Sequence, residues 1–470
     1  MNYPLWDVPL LGGTWIIGLI ASIHVFISHF AVGGGAFFAL TEQLAYNRND
    51  ERMYDYLKKH SLFFLLLTTV AGAVTGVGIW WAISLVSPNG TGALIQTFTF
   101  NWAEEYLFFF AEIATTFVYY YTWNRISRKQ HLNLARWYFV LALFTLVLIN
   151  GILTFMLTPG GWVKSHYWLD GFFNETYWPS LCMRLLIMFA LAGMYALATA
   201  SLIQEENFRA KMLRYAAKWF IPVFILGPII GYWYFVNLPA DSVHNMMTGI
   251  QASGIGNFSV LARAVYMSLI LSGTIILYAF VGPYLNARGF SFHTAILFLV
   301  CGLMVTGISE WSREMLRKPY VIYNYMYSNG VIKERVPALN QKGFAANARW
   351  VPANTQGIAL GENMFRYQCA SCHTRVGYRS LSRLLGERDQ DAILSFLKIL
   401  QNTDSKQNPY AGIMPPVIGN EAELKDLSAY LYTFNHPGSA PKVAELEPKV
   451  TPAAPVSGNK PLAQAATSHP

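Results

Sequence analysis

Cys369-Ala370-Ser371-Cys372-His373 places two thiols three positions apart, with an imidazole directly after the second. In such a pentapeptide the thiols can form thioether bonds to haem vinyl groups and the imidazole can bind the iron. Half a zinc site or a redox dithiol would use similar residues, but no second cysteine pair follows and no βαβ pattern surrounds the motif. Cys182 and Cys301 lie inside apolar stretches, so the four cysteines give no disulfide framework.

The flanking sequence has an order that positions such a group. GIALGENMFRYQ reads as an amphipathic helix leading into the motif, Met414-Pro415-Pro416 offers a thioether on a rigid loop, and EAELKDLSAYLYTF reads as a closing helix. This order resembles the class I cytochrome c fold over about residues 357–437. The resemblance implies one covalent haem c, with Cys369 and Cys372 as attachment points and His373 and Met414 as axial ligands. Thioether and imidazole ligation raises the reduction potential and suits electron transfer.

A second set of chemically capable residues lies where the chain is least polar. His24, His29, Glu104, Glu105, Glu112, Arg184, Arg263 and Glu310 fall within long apolar runs. Ionisable groups in a bilayer are costly and therefore functional candidates. A neutral imidazole in a helix bundle is an axial ligand for haem b, and arginines such as Arg184 or Arg263 can neutralise its propionates. His24 and His29 are five positions apart, about 140° around a helix, so one haem cannot take both. Glu112 pairs with Glu105 at a spacing of seven, on one face, or with Glu104 at eight, about 80° apart. Either pair could pass protons toward a buried site.

The elements that must hold these residues follow from composition. Of 470 residues, 54% are apolar and 13% charged, against roughly 25% charged in soluble domains. That deficit excludes an ordinary soluble enzyme and a disordered chain. The net charge of +8 sits in short loops between apolar runs and marks topology, with no nucleic-acid partner implied. Runs long enough for a core of about 30 Å occur at 14–44, 60–87, 102–124, 135–158, 179–203, 217–237, 258–284 and 293–312. The absence of alternating ten-residue segments argues against a barrel. Gly72, Gly76 and Gly78 would allow close helix approach. The N-terminus carries Asp7 and no basic stretch, so the first run is expected to be an uncleaved span.

Alternate loops carry Arg48, Arg52, Lys58 and Lys59, then Arg125, Arg128, Lys129 and Arg136, then Arg209, Lys211, Arg214 and Lys218, then Arg288; the opposite loops carry only Lys164. This asymmetry predicts a bacterial inner-membrane protein with the N-terminus and everything after 312 on the periplasmic side. Haem attachment of the C-x-x-C-H type also takes place outside the cytoplasm. The expected fold is all-α: an eight-helix transmembrane bundle (1–325), an extracytoplasmic linker (326–356), a class I cytochrome c-like domain (357–437) and a disordered Pro/Ala-rich tail (438–470). Residues 313–356 read throughout as a tether.

The membrane part also resembles a known family. WIIGLIASIHVFISHFAVGGGAFFALTEQLAY is similar to the first span of subunit I of cytochrome bd quinol oxidases, whose histidine falls on His24. AEEYLFFFAEIATTFVYYYTWNR is similar to that family's acidic proton-path helix through Glu104, Glu112, Thr116, Phe117, Trp123 and Arg125. EMLRKPYVI resembles its G-R-Q-P-W signature through Arg317, Pro319 and Tyr320. The resemblance spans about 10–325 and implies one or more b haems, a quinone or quinol, and partner subunits. Departures accompany it. The long quinol loop is reduced to LPADSVHNMMTGIQASGIGN, and Ile187, between Met183 and Met188, stands where the fifth span should supply a histidine. Met267 could match the methionine ligand, and Gly307 replaces a glutamate, with Glu310 nearest to it. The sequence therefore predicts a quinol-linked oxidoreductase passing electrons between quinone, haem b in the bundle and haem c, with His24 the favoured ligand. Two alternatives are a terminal O2-reducing oxidase subunit and an electron-relay anchor in a larger respiratory complex.

Overall fold

The computed structural model describes residues 5–248, 260–345, 348, 350–352, 354–404 and 406–439. The chain is all-α apart from one small hairpin. Seven helices are long and apolar enough to cross a membrane: α1 (Gly13–Arg48), α2 (Glu51–Val86), α5 (Arg128–Phe155), α6 (Tyr177–Ala200), α7 (Glu206–Val236), α8 (Val260–Leu285) and α9 (Phe292–Leu316). Between α2 and α5 lie α3 (Pro88–Thr97) and α4 (Thr99–Tyr121). Helix α4 occupies the place of the remaining expected run, but its three glutamates lower its hydropathy below that of the seven. Large apolar side chains cover the outward surface, among them Leu107, Phe110, Phe224, Ile229, Leu269 and Ile270. An apolar belt of this extent requires lipid rather than water around it. The protein is a multi-pass membrane protein.

Helix α1 is the hub, packing on α2, α5, α6 and α9. Its aromatic stripe makes the core, with Phe30 and Phe37 fully buried against Phe64, His60 and Tyr195. Gly72, Gly76 and Gly78 of α2 do face α1, as expected for close approach, and a Cβ at Gly76 would stand 3.1 Å from the His24 ring.

The basic loops gather at one end. Lys211 pairs with Asp50 at 2.6 Å, Arg52 with Glu205 at 2.9 Å, Arg128 with Glu51, and Arg288 with Glu206 at 3.5 Å. The C-terminal domain docks on the opposite end, where Thr14 N–H donates to the Ser371 carbonyl at 3.2 Å and Tyr378 N–H to the Leu10 carbonyl at 2.8 Å.

The tether reading of 313–356 is corrected. Helix α9 continues to Leu316, and β1 (Tyr320–Ile322) pairs with β2 (Met326–Tyr327) around Asn324 at φ 55°. Val321, Ile322 and Met326 are buried in the bundle core, Tyr323 N–H donates to the Met156 carbonyl, and Asn89 donates to the Gly330 carbonyl. Farther on, Glu423 accepts from the N–H groups of Phe344 and Ala345, each at 2.8 Å. The segment is a packed wedge between the two parts because its apolar residues have a surface on each side to bury against. The tail beyond Ser439 lies outside the described residues.

In the C-terminal domain α10 (Gly357–Gln368) crosses α12 (Glu421–Tyr432), with α11 (Gln390–Gln401) alongside α12. Gly361 sits at the crossing, where a Cβ would collide with the Asp426 carbonyl oxygen and Tyr430 Cβ. Gly361→Val should therefore destabilise this domain by about 3 kcal/mol or more, because a backbone neighbour cannot move aside as a side-chain tip can. A lowered midpoint for the domain in chemical denaturation checks this, and an unchanged midpoint would show that the helices can separate.

Candidate redox sites

The fold builds two places able to hold a group. The first is the Cys369–His373 loop at the C-terminus of α10. Cys369 N–H continues the helix by donating to the Phe365 carbonyl at 2.8 Å, and His373 N–H donates to the Cys369 carbonyl at 2.8 Å, winding the motif into a compact turn. Both cysteines are free thiols, half-buried. Burial, with Cys372 beside it, pushes the Cys369 thiol up to about 12. His373 Nδ1–H donates to the Arg379 carbonyl at 2.9 Å, which fixes the tautomer and leaves Nε2 as the free lone pair. Burial draws its imidazole below the ordinary histidine range, so it is held in the neutral, metal-binding form. Met414 is half-buried and packs on the same apolar cluster as Cys369, Met364 and Phe365. Cys369 and Met414 thus lie on one apolar cluster, and Cys372 and His373 follow Cys369 in the same turn.

The second place is a cavity of about 380 Å³ inside the bundle, walled by α1, α6, α7, α8 and α9. Its walls are apolar except at one patch. There Arg184, 8% exposed, reaches His29 Nε2 at 3.4 Å and the Ser180 hydroxyl at 3.4 Å, while Arg313 donates to Glu310 at 2.6 Å. Ser180 in turn donates to Asn150 at 2.8 Å, and the Tyr234 side chain lines the same wall. His29 Nδ1 is 2.8 Å from the Val25 carbonyl, so Nδ1 carries the hydrogen and Nε2, on the cavity wall, accepts from Arg184. Two arginines against one carboxylate leave a cationic surplus. Arg313 Nε and the Ser312 hydroxyl are buried without a hydrogen-bond partner. Orphaned donors of this kind call for an acidic ligand group.

The expected residues distribute unevenly over these sites. His29, Arg184 and Glu310 line the cavity; His24 does not, and instead bonds through Nδ1 to the Thr75 hydroxyl at 3.1 Å, against α2. Ile187 and Met183 line the cavity where the resemblance asked for a histidine. Met267 is 61% exposed on the outer face of α8, and Arg263 is exposed one turn earlier. Both are withdrawn as cavity residues, because the helix turns their neighbours Val265 and Ser268 inward instead. On α4, Glu112 is buried and accepts from Thr145, Glu105 is half-buried and Glu104 is exposed. The companion of Glu112 on the inner face is thus Glu105, the residue seven positions away.

Arg313 was not among the sequence candidates, because the apolar run ends at 312 while the helix goes on. Glu42, Tyr119 and His131 were also missed: they form a buried network near the basic end, with His131 Nδ1 2.7 Å from Glu42 and Tyr119 donating to Glu42 at 2.8 Å. A carboxylate inside the first apolar run was the available signal. Of the short loop 238–257, Ala240–Thr248 is helical and the residues from 249 to 257 lie outside the described ones.

No family model matches the sequence, and no curated protein matches it. Among solved structures, the fold is similar to that of the bd oxidase from Geobacillus thermodenitrificans, with TM-score 0.57 and 15% identity over 67% of this chain and 89% of that one. The likeness establishes the fold of the membrane part.

Proposed function

We propose that this chain is a membrane-bound respiratory electron-transfer protein, quinol-linked, which holds a b-type haem in the bundle cavity and a covalent c-type haem in the docked domain. The observation that carries the reading is the buried patch of His29, Arg184 and Arg313, with an unpartnered Arg313 Nε, in a cavity of ligand size. His29 would supply the axial nitrogen, and Arg184 and Arg313 would receive the propionates. In the domain, Cys369 and Cys372 would anchor the group, and His373 and Met414 would bind its iron. Bound haem supplies one-electron chemistry at each place. The protein's own part is to hold both sites in one body: the loop of the motif bonds to Leu10 and Thr14 at the head of α1, and Arg379 reaches the Met315 sulfur at 4.0 Å, one residue from cavity-lining Leu316. The described part of the wedge packs against both parts. On this reading the protein sits in the bacterial inner membrane with both the N-terminus and the domain on the periplasmic side, and the docking of the domain opposite the basic loops supports it. Quinone, lipid and further respiratory subunits are the implied partners.

The fold likeness to a bd oxidase favours a second reading, a terminal oxygen-reducing subunit. The isoleucine on the cavity wall and the outward Met267 weigh against that reading, since both stand where the resemblance asked for haem ligands. A pyridine haemochromogen spectrum of the purified protein separates the readings. The expected result is one c haem and at least one b haem per chain. A c haem alone would reduce the membrane part to an anchor, and an added chlorin band would establish the oxidase.

A further inference from the structure

A buried acid–base pair at the basic end has a proton inventory fixed by its hydrogen bonds. His131 Nε2 lies 2.9 Å from the Tyr119 carbonyl, which only accepts, so Nε2 carries a hydrogen. Nδ1 lies 2.7 Å from a Glu42 carboxyl oxygen. A lone pair on Nδ1 facing a bare carboxylate would repel it, so a proton sits between them, on one atom or the other. Tyr119 donates its hydroxyl hydrogen to the second Glu42 oxygen at 2.8 Å. The pair is therefore neutral as a unit and holds one transferable proton, which explains how Glu42, fully buried, and His131, 4% exposed, tolerate their surroundings.

Position gives this proton somewhere to go. Glu42 is six residues from the basic end of α1, and His131 is in the first turn of α5. The buried Tyr54 hydroxyl has no hydrogen-bond partner and lies within the electrostatic reach of Glu42. Over the Tyr54 ring, at 4.5 Å, stands Arg128, which pairs with the exposed Glu51 at the surface. In the other direction, Glu112 is seven residues before Tyr119 on the same buried face of α4, about 10.5 Å away along the axis, with Thr116 buried between them.

We propose that Glu42 and His131 form a proton-loading station that takes protons from water on the basic side, past Tyr54, and delivers them through Tyr119 toward Glu112. In the step, the Tyr119 hydroxyl rotates away from the Glu42 oxygen it donates to, its hydrogen passes to the Glu112 carboxylate, and the Tyr119 oxygen takes the proton of the pair from Glu42 in its place. The pair, left with one negative charge, is then reprotonated from the basic side. This rests on reading Glu112 as a proton-carrying carboxylate within an electron-transfer protein.

The test uses the full-length protein in liposomes, reduced from the domain side, with a pH dye on the basic side. Tyr119→Phe and Glu42→Gln should slow reduction-coupled proton uptake by at least about tenfold and enlarge its solvent deuterium isotope effect, with haem content and spectrum unchanged. Glu206→Gln, exposed at the same end beside Arg288 and outside this route, should match wild type. If Glu42→Gln does not assemble, Tyr119→Phe decides, since it leaves the carboxyl–imidazole bond in place. Wild-type uptake in Tyr119→Phe alongside lost uptake in Glu112→Gln would overturn the station and leave the Glu112 reading standing. Wild-type uptake in both variants would overturn both.

Discussion

Alanine at either Cys369 or Cys372 should abolish haem staining of the denatured chain. Staining that survives denaturation requires a covalent bond, and these are the only two cysteines outside the membrane helices. The geometry favours attachment at both. Cys369 sits at the end of α10 and Cys372 one turn on, while the His373 Nδ1–H bond to the Arg379 carbonyl leaves Nε2 as the free lone pair. Because burial keeps the Cys369 thiol protonated in the folded protein, attachment should precede closure of the fold. Exposing the purified, folded haem-free protein, with both cysteines in place, to free haem should consequently leave it unstained. Full staining in both single variants would remove the covalent site from this motif.

The two halves of the molecule were legible in the sequence to different degrees, for physical reasons. A bilayer forces each span to be about 20 apolar residues, so the expected runs coincide with helices, and the motif with its flanking helices marks the domain. Helix ends were less visible. Ser127 caps α5 with a reciprocal bond to Gln130, so the helix begins at Arg128, well before the apolar run at 135. His131 was thereby assigned to a loop, although it is buried. The wedge was mistaken for a tether because its apolar residues come in short groups broken by Pro, Gly and charged residues, none long enough to span; the alternation Val321, Tyr323, Tyr325 and Tyr327 was nonetheless present. Within the membrane, spacing told which residues share a face but not which face meets the cavity. Hence Glu112 and Arg184 were found as inward residues, whereas Met267 and Arg263 were assigned to an interior they do not reach.

That ambiguity is sharpest at the two histidines of α1, where the structure and the family resemblance point to different residues. The resemblance selects His24, but His24 spends its Nδ1 on Thr75 and lies against Gly76 of α2, outside the cavity. His29 has its Nδ1 tied to Val25 and its Nε2 on the cavity wall beside Arg184. The Nε2 lone pair accepts from Arg184, so a bound haem iron would take it over and free the guanidinium for a propionate on the same wall. His29→Ala should remove the non-covalent b haem while the covalent c haem stays, and His24→Ala should leave most of the b haem in place. Arg184→Gln should weaken retention of the same haem without removing its ligand, since a buried, charge-assisted contact of this kind is worth about 1.5–3 kcal/mol. Haem b quantitated against haem c in the same preparation gives all three outcomes. Full b content in His29→Ala with loss in His24→Ala would move the haem to the α1–α2 face and leave the cavity to the quinone.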